Sequence, residues 1–93
     1  MVSAAVTIQN ERGIHVRPST IIANAIRAFR GEVLLETADG VRHAAASPMD
    51  VLALGLRPSE TVRIHVSGPD EAAFAQELSR LLSRHYDFSE EPT

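Results

Sequence analysis

Apolar and polar residues alternate over residues 2–9, with Ala4, Val6 and Ile8 on one face and Ala5, Thr7 and Gln9 on the other. A period of two is that of a strand with one buried face. Residues 10–13 are a polar break. Over residues 16–29 the period lengthens: Ile22, Ala25, Ile26 and Phe29 fall three and four apart, which predicts a helix, and Gly31 is read as its stop. A second strand over 32–38, the turn signal Asp39-Gly40 and a return strand over 41–45 predict a hairpin. Ser47-Pro48-Met49-Asp50 then starts a short helix that ends near Gly55. Ser47 can accept from a backbone N–H as N-cap, Pro48 suits the first helical position, and Asp50 at the third completes a variant capping box. Residues 61–67 alternate again, with Val62, Ile64 and Val66 inward and Arg63 and His65 outward. Gly68-Pro69-Asp70 opens a last helix, whose buried stripe is Phe74, Leu78, Leu81 and Leu82.

The order is β-α-β-β-α-β-α. Strands apolar on one face only, joined to amphipathic helices, predict an α+β open-faced β-sandwich, a four-stranded antiparallel sheet with three helices on one face. The other sheet face should be solvated and carry Thr7, Arg63 and His65. Residues 1–88 read as a single domain and 89–93 as a disordered C-terminal tail.

Composition narrows the function without naming it. A chain of 93 residues is one small domain. It has no cysteine, hence neither a disulfide framework nor a thiolate metal site, which suits a reducing compartment. The start of the chain has no basic leader, and no run approaches the roughly 20 apolar residues of a membrane helix, so a cytoplasmic protein is expected, without membrane insertion. All nine basic residues are arginines, scattered along a chain of net charge −3 with no basic stripe or stacked aromatics, which disfavours nucleic acid as a partner.

Chemistry centres on one of the four histidines. His43 and His65 fall on strands, at exposed or edge positions, and read as solvated residues. His85 falls in the last turn of the last helix, where the dipole favours a partly charged imidazole. No His/Asp/Glu cluster has metal-ligand spacing, and no cofactor is expected. His15 differs by position. In Gly13-Ile14-His15-Val16-Arg17-Pro18 it stands where a polar loop meets a helix N-terminus. The N–H groups of Val16 and Arg17 belong to the first turn and can donate to an anion beside it. Pro18 rigidifies that turn, and Arg17 can offer a forked donor to phosphate oxygens. Nucleophile, anion cradle and cation thus meet at His15. The same placement also suits a histidine that merely caps the helix, and local chemistry leaves both readings open.

Gly13-Ile14-His15-Val16-Arg17-Pro18-Ser19-Thr20 resembles the active-site signature of HPr, the histidine-containing phosphocarrier family of the bacterial sugar phosphotransferase system. Ser47-Pro48-Met49 with Leu54-Gly55-Leu56 resembles that family's second, regulatory signature at the expected separation. The likeness runs over about residues 3–85. It implies a monomeric carrier rather than an enzyme: His15 takes a phosphoryl group at Nδ1 from enzyme I, steadied by Arg17, and passes it to a histidine of an EIIA domain during sugar uptake. It implies a partner surface including Thr20, Met49, Leu52 and Ala53, with a core role as the alternative for Leu52. It makes Ser47 a target for HPr kinase/phosphorylase, although Pro48 and Asp50 depart from the family's pattern there. Two further readings share these motifs: a nitrogen-branch regulatory carrier without sugar transport, and a regulatory binding protein controlled at Ser47.

Overall fold

The computed structural model of the protein describes residues 1–86. The boundary expected at residue 88 and the tail 89–93 lie outside them. The elements are β1 (Val2–Thr7), α1 (Val16–Ala28), β2 (Glu32–Glu36), β3 (Arg42–Ala44), α2 (Pro48–Leu52), β4 (Thr61–Ser67) and α3 (Glu71–Ser83), in the order expected. The four strands form one sheet in the order β1-β4-β2-β3, with every neighbouring pair antiparallel. Register aligns the inward residues: Val6 faces Val62, Ile64 faces Leu35 and Val66 faces Val33. These six are buried in one cluster with Ile22 and Ile26 of α1 and Leu78, Leu81 and Leu82 of α3. The fold is therefore the open-faced sandwich that the two hydrophobic periods predict.

Several local expectations change. Both strands of the hairpin are shorter than the alternation suggests. Residues 37–41 form the loop, closed by the Thr37 N–H donating to the Val41 carbonyl (3.0 Å) and the Gly40 N–H to that of Thr37 (2.9 Å). Gly31 does not stop α1 with a left-handed turn: the chain already leaves the helix extended at Phe29 (φ −79°, ψ 138°). Packing requires this glycine instead, because a Cβ there would lie 2.0 Å from the Ser67 carbonyl oxygen and 2.6 Å from the Phe29 ring. Phe74 is only part-buried, stacked on Phe29 with centroids 4.4 Å apart, and Ala75 takes a buried place in the α3 stripe. His85 lies beyond α3, which ends at Ser83, so the dipole argument for it lapses.

His65 is the larger correction. It points to the outer sheet face, as its phase requires, yet it is only 5% exposed. The reason is its strand: β4 is central, so His65 is flanked by Ser3 on β1 and Leu34 on β2. Its ring nitrogens meet Ser3 Oγ (Nδ1, 2.8 Å) and Glu36 Oε1 (Nε2, 2.8 Å). The hydrogen bond from His65, aided by Arg42, holds the Glu36 carboxyl below the ordinary glutamate range. A carboxyl depressed in the folded state stabilises it above the unfolded pKa, and that contribution is lost as pH falls below about 4.3 and through the folded value. Glu36→Gln should therefore lose less stability than the native protein between neutral pH and pH about 3. Urea midpoints measured across that range check this, and parallel curves would contradict it.

Candidate functional site

His15 is the N-cap of α1. Its backbone is extended (φ −94°, ψ −159°) and its side chain makes no capping hydrogen bond. Its carbonyl accepts from the Ser19 N–H at 2.9 Å, which starts the helix. The imidazole, part-exposed, is thus not spent on the cap. Val16 and Arg17 occupy the first two helical positions, where backbone N–H groups have no acceptor one turn back. Arg17 is exposed, and Val16 is 65% exposed beside His15. Pro18 is fully buried, so its part is to fix the turn from beneath. The first turn of α1 holds no acidic residue.

The loop leading to His15 is held from three sides. Gly13 adopts φ +67°, and its N–H donates to the Asn10 carbonyl at 2.9 Å. A Cβ at Gly13 would sit 2.2 Å from the Leu56 carbonyl oxygen, an approach only glycine permits. That same Leu56 oxygen accepts from the Ile14 N–H at 2.9 Å. Asn10 is fully buried: its Nδ2 donates to the Gly13 carbonyl at 2.8 Å, and its Oδ1 accepts from the Tyr86 N–H. The Tyr86 hydroxyl in turn donates to the Leu81 carbonyl at 2.6 Å. By its polarity Asn10 belongs to a break between elements. Nothing local could reveal a partner 76 residues away.

The two sequence signatures are therefore joined, by the Ile14–Leu56 hydrogen bond. Leu56 is buried, and Gly55 before it takes φ +62° after the turn that follows α2. At the start of α2, Ser47 Oγ accepts from the Asp50 N–H at 3.1 Å. Asp50 Oδ2 reaches back to the Ala46 N–H at 3.0 Å, one residue earlier than in a standard capping box. α1 and α2 pack on each other. Of the expected partner surface, Thr20 and Ala53 are exposed, and Thr20 Oγ1 donates to the Val16 carbonyl at 3.1 Å. Met49 is 69% exposed. Leu52 is half-buried and stands outside the core cluster.

Three arginines border this loop through their backbone neighbours. Arg12 adjoins Gly13, the Arg57 Cα lies against it, and Arg84 and His85 immediately precede Tyr86. The Arg84 guanidinium sits 5.3 Å from the Tyr86 ring centroid. Glu11 and Glu60 also border the loop, and Glu60 Oε1 accepts from the Arg57 N–H at 2.8 Å. Among the described residues, no group of three His, Cys, Asp or Glu could hold a metal ion, and no helix is long and apolar enough to cross a membrane.

A family model described as "PTS HPr component phosphorylation site" matches residues 2–84. The chain is 31% identical over 87 residues to the phosphocarrier protein HPr of Treponema pallidum, covering 94% of this chain and 98% of that protein. It is 35% identical over 72 residues to the multiphosphoryl transfer protein of Salmonella typhimurium, covering 75% of this chain but 19% of that much longer protein. Among solved structures, HPr-C-His from Thermoanaerobacter tengcongensis superposes with a TM-score of 0.79 at 26% identity, covering 88% of this chain and 91% of that one.

Proposed function

The chain belongs to the PTS HPr family of phosphocarriers, and from that premise we propose that His15 is the residue that carries the phosphoryl group, accepting it from enzyme I and passing it to a histidine of an EIIA domain in sugar uptake. The observation that carries this reading is the state of the N-cap. His15 starts α1 with its backbone alone, and its side chain makes no capping bond.

The chemistry then asks little of the protein. The neutral imidazole, at Nδ1 by family resemblance, attacks the phosphorus of the donor phosphohistidine. A new N–P bond forms as the donor's breaks, and the donor imidazole keeps the electron pair. Transfer of this kind passes through a loose, metaphosphate-like state, so positioning and electrostatics supply most of the catalysis. The Val16 and Arg17 N–H groups and the helix dipole favour the dianion on His15 by about 0.3–1 kcal/mol. Arg17 adds a charge-assisted donor. The basic loop surroundings suit acidic partner surfaces, and exposed Met49 and Val16 supply apolar contact that can adapt to more than one partner. Thr20, Leu52 and Ala53 extend that surface.

The test is incubation with phosphoenolpyruvate and enzyme I, followed by an EIIA domain. The protein should gain an acid-labile, base-stable phosphate and lose it to EIIA. Arg17→Ala should fold normally and transfer roughly 10–100-fold more slowly, the loss of one charge-assisted contact worth about 1.5–3 kcal/mol. Unchanged rapid-quench rates would remove Arg17 from the mechanism.

Ser47 belongs to the same proposal as a regulatory position. Its hydroxyl oxygen already caps α2, and a phosphate there would meet the favourable end of a helix but also the Asp50 carboxylate. HPr kinase with ATP should give an acid-stable phosphate that is absent in Ser47→Ala. No label with kinases from several sources would leave Ser47 the capping role alone.

A further inference from the structure

The outer sheet face carries a second arrangement that phosphoryl transfer at His15 does not use. Ser3 on β1 and His65 on β4 are direct cross-strand partners, and Glu36 lies diagonally across on β2. Ser3 is exposed at the edge strand, His65 is nearly buried, and the Glu36 side chain is 23% exposed. The hydrogen bonds form a chain: Ser3 Oγ to His65 Nδ1 at 2.8 Å, then His65 Nε2 to Glu36 Oε1 at 2.8 Å, with Arg42 Nε 3.4 Å from the same carboxylate oxygen.

With a neutral ring, the ionised carboxylate sets the direction. An ionised carboxylate can only accept, so His65 Nε2 carries the proton given to Glu36. In the neutral ring Nδ1 is then a lone pair, and the Ser3 hydroxyl must be the donor to it. The hydrogen bond from His65, with Arg42 beside it, favours the ionised Glu36, and that carboxyl is held low. A hydroxyl hydrogen-bonded to an imidazole whose far nitrogen is oriented by a carboxylate is the relation that activates a nucleophile. Accessibility follows the same order: the hydroxyl faces solvent and its base is shielded.

We propose that Ser3 is an activated nucleophile that takes an acyl group from activated esters, with His65 as its general base and Glu36 as the positioning residue that fixes the His65 tautomer. The Ser3 Oγ–carbon bond forms, the hydroxyl proton passes to His65 Nδ1, and the bond to the leaving oxygen breaks. The leaving group takes the electron pair, and His65 afterwards returns its proton to solvent. The product is an ester on Ser3.

The test uses the full chain in a His15→Ala background, so that the part-exposed imidazole of the phosphocarrier site does not consume the reagent. p-Nitrophenyl acetate is the probe, and acetylation is mapped by peptide mass spectrometry, with fragmentation to separate Ser3 from the Met1 amine. Ser3 should acetylate at least about tenfold faster than exposed Ser59 and about twofold slower in D2O, as general-base catalysis requires. His65→Gln and Glu36→Gln should each lower the Ser3 rate about tenfold or more. Glu36→Gln, altering a side chain that is not fully buried, keeps the test open if His65→Gln fails to fold. Ser3 labelling no faster than Ser59, or at a rate indifferent to Glu36→Gln in a folded protein, overturns the proposal.

Discussion

His15→Ala should abolish phosphoryl acceptance from enzyme I while leaving the fold intact. Both halves of the expectation come from the N-cap geometry. The side chain removed is the nucleophile, and nothing else in the first turn of α1 can replace it: Val16 has no nucleophilic atom, Arg17 is a permanent cation, and Pro18 and the Ser19 hydroxyl are buried. The label should fall to background, a loss larger than any positioning variant could cause. The fold should persist because His15 contributes no side-chain cap to α1. Even a true capping side chain is worth only about 0.5–2 kcal/mol, so the cost should stay below about 2 kcal/mol, short of unfolding the domain. Labelling with phosphoenolpyruvate and enzyme I, paired with thermal unfolding of the same sample, separates the two. Undiminished acid-labile label in the variant would sink the assignment of His15, and a large fall in Tm would return the residue to a structural role.

Gly13→Ala should be the most destabilising single-methyl change near the site. Two costs add. A φ of +67° is strained for alanine by about 1–2 kcal/mol. The new Cβ would meet the Leu56 carbonyl oxygen at 2.2 Å, so the backbone must move apart and the Ile14–Leu56 hydrogen bond must stretch or break, at about 1 kcal/mol or more. The sum is about 2–4 kcal/mol, a large share of a small domain's stability, and should lower Tm on the order of 10–20 °C. Gly55→Ala is the internal control: its φ is +62° but no atom lies within 4 Å of a new Cβ, so it should show only the conformational part. Equal losses for the two variants would mean that the contact with Leu56 costs nothing. Because the same hydrogen bond precedes His15 by one residue, Gly13→Ala should also slow transfer. A displacement of about 1 Å at a reacting group can cost about a hundredfold.

The sequence was most legible where its signal was periodic or local. Alternation at residues 2–8 and 61–67 located two strands, and three-and-four spacing located α1 and α3. Ser47 and Pro48 announced the start of α2, because a cap is satisfied within four residues. Legibility failed where a residue's role depended on its neighbours across the sheet. His65 has the phase of an outward residue, and phase alone implies solvent. Only strand order makes β4 central and covers the ring with Ser3 and Glu36. Gly31 failed for a related reason: a glycine after a helix resembles a stop whether its purpose is a left-handed turn or, as here, contact with Ser67 and Phe29.

The candidate site divides in the same way. His15, its helix N-terminus and the adjacent Arg17 are properties of consecutive residues, and the sequence by itself determined them. That Asn10 is buried between Gly13 and Tyr86, that Leu56 receives Ile14, and that the Arg57 backbone lies against Gly13 were decided by the tertiary structure. Hydrogen bonds and close packing between residues tens of positions apart exist only once the sheet and helices bring those backbones within about 3 Å, and neither periodicity nor capping chemistry encodes that distance.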